Sequence, residues 1–549
     1  MLKLNKYSRR QSTETTIGSV TLGSNHPVAI QSMTNTDTLD TNATVEQFIR
    51  IIDAGGEYVR VTAQGVREAE NVKNIKAELL KRGYSQPVVV DIHFNPRAAY
   101  EAAKHADKVR INPGNFADTK IAKDANAKEG LERIKEKFIP FLDICKAHHT
   151  AVRIGVNHGS LSERIMKTYG DTPEGMVESC MEYLKVAQEE NFHNIAISIK
   201  ASNTRVMVHT VRLLVKTMDE AGMHYPLHLG VTEAGDAEDG RIKSAVGTGA
   251  LLNDGIGDTI RVSLSEAPEK EIPVAKSLVK IAELRSHAAP LPVGGEAFYS
   301  PYSYEKRNSY AIGDIGGDNK AVVWTAIPQD IKTLVLESDD IIGINEVKQL
   351  NQKDTIIVAK TAHPNVMAAH RSLILRLRAL HINAPVIFAF NSDTDDAEFY
   401  QLHAASELGG LLLDGFGDGI LLEGSLEPSF LEKTGYNILQ ASRVLFTKTE
   451  YISCPGCGRT LFELEDVIAQ IKAKTSHLKG LKIGIMGCVV NGPGEMADAD
   501  YGYVGAGVGK ISLYKGQECM KRGIPQKDAL NEMISLIKDN GDWEENDQQ

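Results

Sequence analysis

Four side chains near the C-terminus stand at spacings that could hold a metal. Cys454 and Cys457 form a C-x-x-C pair inside SCPGCGRT, and Cys488 follows in KIGIMGCVVNGPGE, which ends on Glu495. C-x-x-C puts two thiolates on one tight turn, close enough to share a metal or two corners of a cluster. Pro455, Gly456 and Gly458 suit that turn, since they bend the backbone and leave amide N–H groups free to point at sulfur. Four readings are open. A structural zinc site wants four Cys or His ligands, and the nearest histidine, His477, stands alone in a helical run. A thioredoxin-like redox pair needs no third cysteine. A bare turn would carry no chemistry. Three thiolates on a cubane iron–sulfur cluster leave one iron for an oxygen ligand or a substrate, and on an enzyme the chemistry is expected at that iron. Cys519, in KGQECMKRG, is a rival fourth thiolate and reads as a packing residue on a helix.

A second set of polar residues lies in the N-terminal half, at the ends of β-rich runs: Arg60, Asp91, His93, Arg110, Asn112, Asn115, Arg153, Asn157, Lys200, Glu233, Arg261 and Ser263. Five of these are cations on five different runs. Any one of them alone would as readily pair with an acid inside a barrel rim. Five aimed at one mouth repel each other unless an anion sits among them, and arginine suits phosphate because its planar fork donates in pairs. Glu233 is the acidic exception, suited to a hydroxyl contact or a proton transfer. Asp91 and His93 fit either an acid with its orienting group or plain core hydrogen bonding.

The elements that must position these groups follow from hydrophobic patterning. In residues 1–286 eight short β-rich runs alternate with helical runs such as VEQFIRIIDAG and EGMVESCMEYLKVAQEE. The β-rich runs span 27–33, 57–63, 87–94, 108–115, 151–157, 194–202, 226–235 and 258–264. Continuous apolar strands in βα units predict a closed parallel (β/α)8 TIM barrel with its site at the C-terminal strand ends, ahead of a doubly wound open sheet. TTIGSVTLGSNHP reads as a hairpin turning at Gly-Ser-Asn, a plug beneath the barrel. HAAPLPVGGEAFYSPYSYEKRN at 287–308 reads as a boundary.

From 309 to 440 strands and helices alternate again, with strands expected at AVVWTAI, KTLVLES, TIIVAKT, PVIFAFN and GLLLDG. LLNDGIGDTIRVSL at 251–264 echoes LLLDGFGDGILLEG at 411–424 at a constant offset of 160, with Arg261 replaced by Leu421 and Ser263 by Glu423. This points to a partial barrel-like duplication without a site, inserted as an α/β spacer. A helix is expected over 434–451, a hairpin at GAGVGKI rather than a P-loop, a helix over 526–538, and a disordered GDWEENDQQ tail.

With 549 residues, a net charge of −11 and 42% hydrophobic residues, the chain reads as a soluble protein of two or three domains. The charge argues against a general nucleic-acid surface, and no run has the length of a membrane span. MLKLNKYSRRQSTETT lacks an apolar signal core, and few, clustered cysteines fit a reducing cytoplasm.

CPGCGRT followed by MGCVVNGPGE strongly resembles the C-terminal domain of the 4-hydroxy-3-methylbut-2-enyl diphosphate synthase family, enzymes of isoprenoid precursor synthesis by the methylerythritol phosphate pathway. QSMTNT, VRVT, DIHF, RINPGN, VRIGVN and GVTEAG resemble further blocks of the same family. The resemblance implies a [4Fe–4S] cluster held by Cys454, Cys457, Cys488 and Glu495. The implied substrate is 2-C-methyl-D-erythritol 2,4-cyclodiphosphate. Its phosphates would lie among Arg60, Arg110, Arg153, Lys200 and Arg261, with Asn157 and Ser263 as neutral donors and Asp91, His93 and Asn112 alongside. The implied reaction is reductive ring opening and dehydroxylation, with electrons from ferredoxin or flavodoxin, Glu495 yielding to a substrate oxygen and Glu233 supplying a proton. The chain resembles the longer, three-domain form: a barrel over 1–286, an insert over 287–440 and an iron–sulfur domain over 441–549. A homodimer is left open.

Overall fold

The computed structural model describes residues 7–117, 127–291, 299–339, 354–489 and 492–545. They fall into two compact units. One holds residues 11–240, 257–275 and 448 onward; the other holds the first ten residues, 241–256 and 276–447.

The first unit begins with a hairpin, β1 (Thr15–Ile17) and β2 (Val20–Leu22). Eight parallel strands follow: β3 (Ala29–Met33), β4 (Tyr58–Ala63), β5 (Val88–Ile92), β6 (Lys108–Ile111), β7 (Ala151–Asn157), β8 (Ile195–Lys200), β9 (His228–Leu229) and β10 (Thr259–Ile260). Their order is β8-β7-β6-β5-β4-β3-β10-β9, and a parallel bridge from Ile197 to Leu227 joins the two ends and closes the barrel. Every residue of these strands is buried, which is why they read as unbroken apolar runs rather than as alternations. Loops carry the caps that start the helices, as where the Asp40 carboxylate accepts from Ala43 N at 3.0 Å and Asn203 Oδ1 accepts from Arg205 N at 3.1 Å.

The expected run at 108–115 stops early. Asn112 caps a short helix, Pro113–Phe116, because proline at its first position favours a helical start. The expected runs at 226–235 and 258–264 are strand over two residues each, and just beyond them Gly230 lies where a Cβ would come 2.4 Å from Arg261 O. The hairpin does plug the barrel floor. Ile17 and Leu22 pack with Ala29, Tyr58, Val89, Ala151 and Ala196 from the strand starts, and Thr15 Oγ1 donates to Ile195 O at 2.7 Å. Its turn is Gly18-Ser19, not Gly23-Ser24-Asn25, because Ile17 pairs with Val20 and leaves two residues, with Gly18 at φ 53°.

The second unit contains β11 (Val322–Trp324), β12 (Thr333–Glu337), β13 (Ile356–Lys360), β14 (Val386–Ser392) and β15 (Gly419–Gly424). All are parallel, in the order β11-β15-β14-β13-β12. That is the order of β3-β10-β9-β8-β7 in the barrel, so the insert is a five-strand slice of the same architecture. The hydrogen bonds repeat as well. Leu227 N donates to Asp258 Oδ2 and Val386 N to Asp418 Oδ2, both at 2.9 Å; Ser12 and Ser309 hydroxyls donate to the other oxygens of those carboxylates. GLLLDG is not a strand. It ends the helix Ala397–Leu413, where leucines buried on every side hide the helical period, and GILLEG at 419–424 is the strand instead. Leu421 is buried among Val358 and Ile387, and Glu423 binds Lys360 Nζ at 2.7 and 2.8 Å.

The first unit resumes with β16 (Glu450–Ser453), β17 (Lys482–Met486), β18 (Tyr501–Gly507), β19 (Lys510–Lys515) and β20 (Glu518–Pro525), adjacent in that order. The last two are antiparallel additions, and GAGVGKI is their first hairpin. The helices Leu464–Thr475 and Gln526–Asp539 cover a core built on Ile468, Ile485, Tyr503, Leu513 and Ile537. Several expectations give way here. The helix expected over 434–451 spans Pro428–Ala441, and Glu450 already begins β16. Cys519 lies on β20, an edge strand of alternating exposure, not on a helix. His477 follows its helix rather than lying within it. The tail is ordered as far as Glu545, because Trp543 packs edge-on against His477 at 5.2 Å and Tyr501 OH donates to Asp542 at 2.6 Å; residues 546–549 lie outside the described residues. Among the described residues no helix is long and apolar enough to cross a membrane.

Candidate active site

The barrel mouth and the C-terminal sheet of the first unit face each other across one partly open cavity. Period-two alternation along the strands sends Arg60 and Thr62 of β4, Asp91 of β5, Arg110 of β6, Arg153 and Asn157 of β7, and Ser198 and Lys200 of β8 to its wall. His93, Glu233, Arg261 and Ser263 line it from the following loops, and Cys454, Cys457, Cys488 and Glu495 line it from the opposite side. Among the residues expected at the site, Asn112 is absent from the lining. Its amide caps the short helix through Gly114 N at 3.0 Å and donates to Ser160 Oγ at 3.0 Å. Asn115 also lies elsewhere, accepting from Phe94 N at 3.3 Å.

The five cations are not equivalent. Arg110 is held through both terminal nitrogens, its Nε alone being without a partner: Nη1 donates to Asp91 Oδ1 at 3.0 Å and also lies against His93 Nε2, while Nη2 donates to Gly155 O at 2.8 Å and to Asn157 Oδ1 at 3.1 Å. Arg261 forms a two-point pair with Glu271 at 3.1 and 3.0 Å and turns its third nitrogen to Met33 Sδ at 2.8 Å. Arg60 lies 3.7 Å from Asp91 and 2.7 Å from the same sulfur. Arg153 has Nε and Nη1 without a hydrogen-bond partner although it is only 1% exposed. Lys200 makes no ion pair and is pushed well below the usual lysine range by burial and by Arg261, Arg60 and Arg153. Three cations, Arg60, Arg110 and Arg261, therefore pair with carboxylates, whereas Arg153 and Lys200 make no ion pair.

The acids divide in the same way. Burial alone would raise Asp91, but the charges of Arg60 and Arg110 outweigh it and hold the carboxyl well below the carboxylate range. Burial and the charge of Arg110 lower His93 to about 3, so its ring is neutral. Glu233, at φ 46°, lies against Glu495, and burial together with the Glu495 charge pushes it well above the carboxylate range. Burial raises Glu495 as well, so the two carboxyls compete for protons in one buried environment. Asn157 Nδ2 donates to Glu495 Oε1 at 3.3 Å, tying the C-terminal sheet to the barrel.

Backbone contacts fix the thiol side over the mouth. Ser265 Oγ donates to Cys454 O at 2.9 Å, and Lys472 binds Asp236 at 2.5 Å. Gly159 and Gly494 meet backbone to backbone: a Cβ on Gly159 would fall 1.9 Å from Gly494 O. Gly492–Glu495 is a single helical turn that ends on the carboxylate, and Asn491 lies outside the described residues. Gly487 N donates to Cys454 Sγ at 3.2 Å, and burial raises both Cys454 and Cys457 above the usual thiol range. Cys519 does not line the cavity; its thiol lies 3.7 Å from Lys521 O.

The families matched by the chain agree with this division of the cavity. A model of the GcpE TIM-barrel domain matches residues 12–276, and one of the GcpE protein C-terminal domain matches residues 450–539. Proteins called 4-hydroxy-3-methylbut-2-en-1-yl diphosphate synthase (flavodoxin) match over nearly their whole length. That of Phocaeicola vulgatus is 50% identical, covering 99% of this chain and 100% of its own. That of Porphyromonas gingivalis is 48% identical with the same coverage, and that of Protochlamydia amoebophila is 40% identical, covering 98% and 97%. The chain belongs to the GcpE family. The two GcpE models leave residues 277–449 unmatched, whereas the full-length relatives cover them, so the five-strand slice is shared by these relatives.

Alternation along the strands would have found Thr62 and Ser198, two residues from Arg60 and Lys200. Met33, Thr232, Arg459 and Thr460 also line the cavity without having been expected there. Arg459 directly follows the C-x-x-C turn, at Cys457 + 2, and only its guanidinium type marks it.

Proposed function

We propose that this chain carries out the two-electron reductive ring opening and dehydroxylation of 2-C-methyl-D-erythritol 2,4-cyclodiphosphate, giving (E)-4-hydroxy-3-methylbut-2-enyl diphosphate and water. The observation that carries this reading is a single cavity with free cationic groups on its barrel side and three thiols with a carboxylate on the other. Arg153 and Lys200 are the first phosphate donors, because neither is paired with a carboxylate and Arg153 keeps Nε and Nη1 without partners. Asn157 and Ser263 add neutral donors. Arg110 and Arg261, each clamped by a carboxylate, form a rigid rim that orients the ring.

The residues present fit a [4Fe–4S] cluster held by Cys454, Cys457, Cys488 and Glu495. Three thiols and one carboxylate line the same side of the cavity, a donor set of the kind such a cluster takes. Buried thiols that resist ionisation alone give up their protons to such a cation, and Gly487 N–H stays as a hydrogen bond to sulfur. Bound there, the cluster supplies electrons one at a time and, at the iron without a thiolate, a Lewis acid. Glu233, facing the cavity beside Glu495, is the proton donor to the oxygen that leaves. Flavodoxin, named with the relatives, is the electron donor we favour, with ferredoxin the alternative.

Anaerobic isolation followed by turnover of the cyclodiphosphate with a chemical reductant tests the reading. It expects a brown protein with on the order of four irons and four sulfides per chain and formation of the open-chain diphosphate. A colourless zinc protein, or an iron protein that leaves the cyclodiphosphate intact, overturns it.

A further inference from the structure

Beneath the cavity lies a layer of polar groups that the reaction above does not use. Lys108, at the start of β6, is 0% exposed, and its ammonium nitrogen has no hydrogen-bond partner. It sits over the ring of Tyr58, 4.3 Å from the centroid, and Tyr58 OH is shared with Thr259 Oγ1 at 2.6 Å. Gln31 and His228, each 1% exposed, also have side-chain atoms without partners. The charged and titratable groups that face Lys108 are Tyr58 and Arg60 of β4, Arg153 of β7 and His228 of β9. No carboxylate is among them; Asp91, the acid on the neighbouring strand, is taken by Arg60 and Arg110.

A fully buried lysine among cations, with no carboxylate beside it among the described residues, favours the neutral amine, although the Tyr58 ring face attracts the ammonium form. Burial and the charges of Arg153 and Arg60 do press it well below the lysine range. An anion of charge two placed on Arg153 reverses that balance, since it lies within the same low-dielectric barrel. We propose that Lys108 is a positioning residue that stores a counter-charge: neutral in the empty barrel, it takes a proton from solvent when the cyclic diphosphate settles on Arg153 and Lys200. The empty barrel thereby avoids a further buried cation, and the filled one gains it. The inference rests on the diphosphate reading of the cavity.

Calorimetric titration of the anaerobic holoenzyme with the cyclodiphosphate, without reductant, in buffers of different ionisation enthalpy, counts the protons taken up. Wild type should take up on the order of one proton per site, and its affinity should fall as pH rises from about 7 to about 9. In Lys108→Met, or in Lys108→Gln should the first misfold, uptake falls by on the order of one proton per site, leaving only what Lys200 takes up, and the pH slope flattens. Affinity should then drop on the order of tenfold while the melting temperature holds or rises. A merely structural lysine would leave uptake and slope unchanged. Undiminished uptake in the Lys108 variants, or uptake abolished by His228→Asn with Lys108 intact, overturns the proposal. No binding by wild type would instead overturn the reading of the cavity.

Discussion

Replacing Gly159 by alanine tests whether the thiol side must sit as closely on the barrel as the two glycines allow. The new methyl would fall 1.9 Å from Gly494 O and 2.9 Å from Ala497 Cβ, about 1.5 Å inside the 3.4 Å at which ordinary contact begins. Neither neighbour is a flexible side-chain end, so the loops themselves have to separate. Gly159 also has φ +77°, where a Cβ adds roughly 1–2 kcal/mol of local strain. Gly494 is next to Glu495, so a separation of that size carries Glu495 away from Asn157 and from the phosphate-binding wall. A misplacement of about 1 Å at a reacting centre costs on the order of a hundredfold in rate. The expected result is therefore a fall of about a hundredfold in kcat in anaerobic turnover, with the visible spectrum of the cluster and the affinity for the cyclodiphosphate little changed. Wild-type kcat in Gly159→Ala would refute the argument, because it would mean that the working enzyme never brings these loops together. Loss of the spectrum would refute it differently, by making the contact a folding requirement.

Arg153→Ala should weaken cyclodiphosphate binding by ~2–5 kcal/mol with an intact spectrum, whereas Arg261→Ala strands Glu271 in the interior and should lower chemical stability by ~3–5 kcal/mol; equal effects on binding and stability in both variants would erase the distinction. Cys519→Ser, on the edge strand and outside the cavity, should keep iron and activity, while Glu495→Ala should lose most activity and leave a fragile or three-iron centre, read by iron analysis and electron paramagnetic resonance. His370 is buried with Ser338 Oγ and Ala389 O at its two ring nitrogens, and burial lowers it to about 4. Its folded pKa lies below the unfolded value of about 6.5, so its contribution is complete above that value and is lost as pH falls towards 4. About 3 kcal/mol is at stake, and His370→Gln should flatten the fall in denaturation midpoint across that window. Mixing Cys488→Ser with Arg153→Ala should restore no activity if the barrel and the thiol side of one chain work together; complementation would assign the site to two subunits.

The barrel was legible because its strands are buried on both faces and bounded by turn residues. The thiol side was legible because C-x-x-C and GPGE are local. What escaped depended on partners distant in sequence. Nothing in RVSL announces that Arg261 is held by Glu271, or that Arg110 is spent on Asp91, so five equal cations were expected where two are free. Lys108 looked like an ordinary strand start, since only closure of the barrel brings it over Tyr58. GLLLDG and KGQECMKRG misled for opposite reasons: an apolar run too uniform to show a period, and a polar edge strand that looked like an exposed helix.

The hairpin under the barrel has a consequence for the order of events. With Ile17 and Leu22 stoppering the strand starts, traffic into the cavity goes by way of the roof, and the roof is the sheet that carries the thiols. One doorway then serves the incoming ring, the outgoing chain and the water released. With entry and exit sharing one mouth, a thickened solvent should slow the enzyme wherever passage through it, rather than bond breaking, limits turnover.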